Sequence, residues 1–187
     1  MFIAQRLRKE NIAEYLLYMW QVEDTLRAYG CDIRRIAQEY VPQFNLDEDR
    51  RAELVNWYDS LCSMMRSEGV KESGHLQINR NVVAELEELS QQLLESPNFQ
   101  RYHSAFFALL PDIMELRRRG NASTLGDIEV CFNALYGTMM LRLAKKPLGT
   151  ETEEAIKRIS GVMAMLAAYY RSNREKPLDF GDATGVS

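Results

Sequence analysis

Residues 12–29 read IAEYLLYMWQVEDTLRAY, and their spacing decides the fold class. Ile12, Tyr15, Met19, Val22, Leu26 and Tyr29 step by three and four, which lines one face of a helix and cannot line one face of a strand. Working outward, nearly every long segment repeats this period and none alternates. The composition agrees: Leu, Ala, Met and Glu number 65 against 24 Val, Ile and Thr, favouring side chains that keep their rotamer freedom in a helix.

The first predicted helix runs from near the N-terminus to Gly30. A short one with Ile33, Ile36, Ala37 and Tyr40 should stop at Val41-Pro42, because proline disfavours helical backbone in the residue before it. Asp47, Glu48 and Asp49 supply first-turn acids for a third, through Leu54, Trp57, Leu61 and Met64. Residues 69–79 are expected to form the longest internal loop, after which Asn81 caps a fourth helix that ends at Ser96-Pro97. A fifth carries Phe99, Tyr102, Phe106, Leu109, Ile113 and Leu116; Pro111 should kink or restart it, and Arg117, Arg118 and Arg119 should compensate its last carbonyls. Thr124 with Asp127, and Thr150 with Glu153, read as capping boxes opening a sixth and a seventh helix.

The expected architecture is therefore all-α: one domain over residues 1–176, a bundle of six to eight helices, and a mobile tail over 177–187. In the seventh helix, residues 161–170 (GVMAMLAAYY) are apolar almost all round. Such a helix must be buried, either at the centre of the bundle or against another subunit.

The stretch Glu10-Asn11-Ile12-Ala13-Glu14-Tyr15-Leu16-Leu17-Tyr18-Met19-Trp20-Gln21-Val22-Glu23-Asp24 resembles a family of bacterial proteins known only as a domain of unknown function. The similarity extends to Phe132-Asn133-Ala134-Leu135-Tyr136-Gly137 and to Pro177-Leu178-Asp179-Phe180. The resemblance implies a compact helical bacterial protein. It carries no activity, substrate or catalytic residue.

The net charge of −4 gives no overall field toward phosphate backbones or anionic membranes. The basic patches, Arg6-Leu7-Arg8-Lys9 and Arg117-Arg118-Arg119, fall at helix ends, and neither nucleic acid nor a membrane is expected as a partner. The longest apolar run, residues 162–170, is far shorter than the ~20 residues a spanning helix needs. Cys31, Cys62 and Cys131 lack zinc-type spacing and read as scattered, buried, reduced thiols of a cytoplasmic protein. A carboxylate-bridged di-metal bundle needs two Glu-x-x-His pairs; Glu72–His75 is a single match within the loop, so no metal is expected. There is no Gly-x-Ser-x-Gly, Walker or dinucleotide fingerprint, and no cofactor is expected.

Two residues remain as candidate ligand-binding groups. Glu23 falls inside the apolar arc of the first helix, either desolvated and poised for proton transfer or at the margin of the arc, paired with Arg27. His103 projects among Phe99, Phe106, Phe107 and Leu110, where it is either a proton shuttle or a hydrogen-bonded rim residue. The expected function is non-enzymatic, through protein contacts or self-association as a homodimer. The alternative is a bundle enclosing a small-molecule pocket lined by Tyr, Trp, Glu23 and His103.

Overall fold

A computed structural model of the chain describes residues 1–120 and 124–181. The described residues contain eight α-helices and no strand: α1 (Phe2–Glu10), α2 (Ile12–Ala28), α3 (Ile33–Arg35), α4 (Glu48–Ser67), α5 (Gln77–Glu95), α6 (Gln100–Gly120), α7 (Asp127–Leu143) and α8 (Thr150–Glu175). The fold class is the expected one. Contacts gather into two compact units, residues 1–9 with 14–81 and residues 10–13 with 82–187. Their bounds fall inside α1, α2 and α5 rather than in a linker.

Several boundaries differ from expectation, each for a local reason. The first predicted helix is two, because Asn11 interrupts it and its Oδ1 accepts the Ala13 amide at 3.1 Å as a cap. Val41-Pro42 does not stop the third helical segment. A π turn over Ile36–Tyr40 passes into a 3₁₀ turn over Val41–Phe44, where Pro42 occupies a first-turn position that needs no N–H. The segment ends at Asn45, whose φ of 53° is left-handed. Of the three acids expected in the first turn of α4, Glu48 and Asp49 lie there, while Asp47 is the N-cap and accepts the Arg50 amide at 2.9 Å.

Asn81 is not a cap. α5 begins four residues earlier, at Gln77, whose amide donates to the Glu68 carboxylate at 2.6 Å, and Asn81 lies inside the helix with its side chain bonded to that of Gln77. α6 continues through Pro111 without restarting. Neither expected capping box is made: α7 and α8 have Gly126 and Gly149 at their N-caps, with no side-chain bond from the cap residue.

In the first unit the core is built from α2 and α4. Tyr15, Leu16, Met19, Trp20 and Leu26 are buried on α2; Tyr58, Leu61, Cys62 and Met65 are buried on α4. In the second unit α6, α7 and α8 pack on one another. Tyr102, Phe106, Leu109 and Ile113 meet a core that includes Cys131, Phe132, Ile159, Met163 and Leu166. Tyr102 is buried with its hydroxyl satisfied by Ser90 Oγ at 2.7 Å.

The seventh predicted helix is α8, and it is not enclosed on all sides by this chain. Ile156, Ile159, Val162, Met163, Leu166, Ala167 and Tyr170 are buried, whereas Gly161, Ala164 and Ala168 are exposed. Within the expected tail, residues 178–180 are held by the rest of their unit. Asn173 Oδ1 accepts the Leu178 amide, Ser96 Oγ donates to the Phe180 carbonyl at 2.6 Å, and Phe180 packs against Phe99. Residues 182–187 of that tail lie outside the described residues.

Candidate functional site

Glu23 is placed by the helical register of α2 on the same side as Trp20 and Arg27, and its side chain is fully buried. It is not at the margin of the apolar arc. Its Oε2 lies 2.6 Å from His75 Nδ1, and its Oε1 accepts the Leu76 amide at 2.9 Å and Asn79 Nδ2 at 2.7 Å. The expected partner, Arg27, approaches only to 4.0 Å. Arg27 instead spends its guanidinium on Asp24 and on the carbonyls of Val70 and Gly74. A buried carboxylate survives only when its lone pairs are taken up, and here three neighbours do so. The residues that do this lie around the expected loop and at the start of α5, so Glu23 holds residues 70–79 onto α2.

His75 is the residue that sequence spacing missed. Its only sequence signal was the Glu72–His75 pair, and Glu72 is not its partner: Glu72 approaches Lys71 at 3.9 Å. The imidazole is fixed twice. Nδ1 is bound by Glu23, and the ring stacks on Trp20 with centroids 4.1 Å apart and planes 14° from parallel. A carboxylate that already accepts two N–H bonds accepts from Nδ1 as well, so Nδ1 carries a proton. This is how a general base is oriented, yet among the described residues no hydroxyl or thiol is bonded to His75. The cluster ties segments together.

His103 belongs to a separate arrangement in the second unit. Its Nε2 lies 2.8 Å from the Leu93 carbonyl, one of the last carbonyls of α5, and its ring meets Phe107 edge-on at 6.4 Å. It caps a helix end. Glu23 and His103 thus each have their own partners within their own unit, and no interaction joins them.

The polar surface of the second unit is largely self-satisfied. Beside α6 and α8 lies a groove of about 340 Å³ lined by charged groups. Arg158 makes a two-pronged bond to Asp112 there, at 2.7 and 2.9 Å. Arg118 and Arg119 do not compensate the last carbonyls of α6 as expected. Both bind Glu115, at 2.7 and 2.6 Å, and their bonds hold its carboxyl down at about 2. Arg117 reaches Asp127 at 2.7 Å. Among the described residues no group of three or more His, Cys, Asp or Glu side chains could hold a metal ion, and no helix is long and apolar enough to cross a membrane.

What is not satisfied is the outer face of α7 and α8. Residues 130–141 of α7 and 160–170 of α8 contain no charged residue, yet Asn133, Gly137 and Leu141 on one and Gly161, Ala164 and Ala168 on the other are exposed. Uncharged stretches that stay uncovered are the exception on a chain where about a quarter of the residues are charged. On the same face by helical register, Lys157 stands before the α8 stripe and Arg171 and Glu175 after it, all exposed.

The chain belongs to the family described as Domain of unknown function (DUF4924), whose model matches residues 1–177. No curated protein and no solved structure matches the chain.

Proposed function

We propose that this member of the DUF4924 family works without catalysis, through protein contacts, and that the outer face of α7 and α8 receives a second copy of the chain. The observation that carries the reading is the exposed, uncharged stripe of Gly161, Ala164 and Ala168 on α8, with Asn133, Gly137 and Leu141 exposed on α7, which packs against it. Small side chains let two helix backbones approach closely, and an uncharged face meets its own copy without repulsion. The charges at its ends favour one orientation. In an antiparallel α8 pair with Ala164 opposite Ala168 of the copy, Lys157 falls opposite Glu175 of the copy, twice over by symmetry. A standard interface buries about 800 Å² per partner, which requires α7 as well as α8. The compartment that suits this work is the cytoplasm. An anionic polymer is a poor alternative partner, because Arg118 and Arg119 already bind Glu115 and the net charge is −4.

The test is the solution mass of the full chain by light scattering over a concentration series. The expected result is a dimer, with Ala164→Glu monomeric at unchanged helicity. Lys157→Glu and Glu175→Lys should each weaken the dimer, and the two together should restore it. A wild-type chain that stays monomeric throughout the series overturns the proposal, and so does a double variant no better than the singles.

A further inference from the structure

Cys31 and Cys62 are not scattered: Arg66, one turn beyond Cys62 on α4, donates to the Cys31 carbonyl at 3.0 Å, which sets the turn carrying Cys31 against this part of α4, and both thiols are free and buried. Cys62 stands in the interior of α4. Cys31 lies in the turn after α2, between the exposed residues Gly30 and Asp32, so a small opening of this turn uncovers it. The turn is strained. Gly30 and Cys31 are both left-handed, with φ of 64° and 54°, and at Cys31 the Cβ makes that conformation unfavourable. Burial pushes the Cys62 thiol up to about 12, and the charge of Arg66 only partly offsets that rise, so Cys62 is not the thiol that reacts first. Cys131 is buried in the second unit and has no thiol partner among the described residues.

We infer that Cys31 and Cys62 form a site of reversible disulfide modification whose oxidant is a low-molecular-weight disulfide. Cys31 reacts first because its turn can open. Its thiolate attacks one sulfur of the small disulfide, a mixed disulfide forms, and the first small thiolate leaves. The Cys62 thiolate then attacks the Cys31 sulfur, the protein disulfide forms, and the second small thiolate leaves. The two protons lost by the protein thiols end on the two released small thiols; the protein is oxidised by two electrons and the small disulfide is reduced by the same two. Cross-linking ties the end of α2 to the middle of α4.

The reduced full-length chain, incubated with oxidised glutathione at neutral pH, tests this. The titre of free thiols is expected to fall from three to one. Peptide mapping should join Cys31 to Cys62 and leave Cys131 free, and a dithiol reductant should return the titre to three. Cys62→Ser should stop at a stable glutathione adduct on Cys31. Three thiols remaining, an unresolved adduct on the wild-type chain, or a link through Cys131 would each overturn the inference. The mapping of the wild-type chain decides by itself if the variant does not fold.

Discussion

Glu87 on α5 accepts the amide of Ile128 at 2.8 Å and that of Glu129 at 3.0 Å, both through Oε1, and so caps the start of α7 from a different helix. Gly126, at the N-cap, leaves the space this carboxylate occupies, since a Cβ there would collide with the Glu87 side chain. The φ of Gly126 is −66°, which any residue adopts, so its requirement is steric and not conformational. Gly126→Ala is expected to push the carboxylate off the helix end and to cost about 1–2 kcal/mol, the usual range for a lost cap. Glu87→Gln, which keeps an acceptor oxygen, should cost less. Urea midpoints of the three proteins measure both, and a Gly126→Ala midpoint indistinguishable from wild type would refute the account.

Glu23 and His75 should differ in how much each supports. Removing Glu23 leaves the Leu76 amide and Asn79 Nδ2 buried without an acceptor, so Glu23→Ala should destabilise by about 3 kcal/mol. His75 is part-exposed and its loss frees only one edge of the carboxylate, so His75→Ala should cost about 1–2 kcal/mol. His75→Ala should also change the emission of Trp20, read in a Trp57→Phe background because the chain has just two tryptophans. Unchanged Trp20 emission would mean that the stack is not populated in solution.

Stability should fall in alkali. Burial pushes the Cys131 thiol from 9.0 up to about 12, and raises the Tyr102 phenol as well. Above pH 9 the unfolded chain therefore releases its thiol proton while the folded chain keeps it. The unfolded state then binds fewer protons, and the stability is lost as pH rises through the 9 to 12 window. The slope is about 1.4 kcal/mol per pH unit for each fully separated group. Denaturant melts at pH 8, 9.5 and 10.5 (about one unit apart or more) check it, and Cys131→Ala should flatten the decline.

Legibility in the sequence followed distance along the chain. The helices were readable because their three-and-four spacing is local, and the run of Asp47, Glu48 and Asp49 marked the start of α4 for the same reason. The caps of α5 and α7 were not, because Glu68 and Glu87 reach them from 9 and 41 residues away. Asn11 was a local signal that the running period of α2 obscured. In α8, Gly161, Ala164 and Ala168 counted as apolar, but residues this small carry too little surface to force burial. Glu23 stood out because a carboxylate inside an apolar arc is anomalous, while its partner His75 gave no period to read.

The dependence of α5 on Glu23 and Glu68 bears on the order of folding. The amides of Leu76 and Gln77 have no acceptor at hand in their own sequence, only carboxylates 53 and 9 residues back. An isolated α5 would fray at this end, and closing the longer loop must precede its first turn. In native-state hydrogen exchange, the Leu76 amide is then a reporter of the closed loop: it should exchange only when α2 lets go of the 70–79 segment, and not with the local breathing of α5 itself.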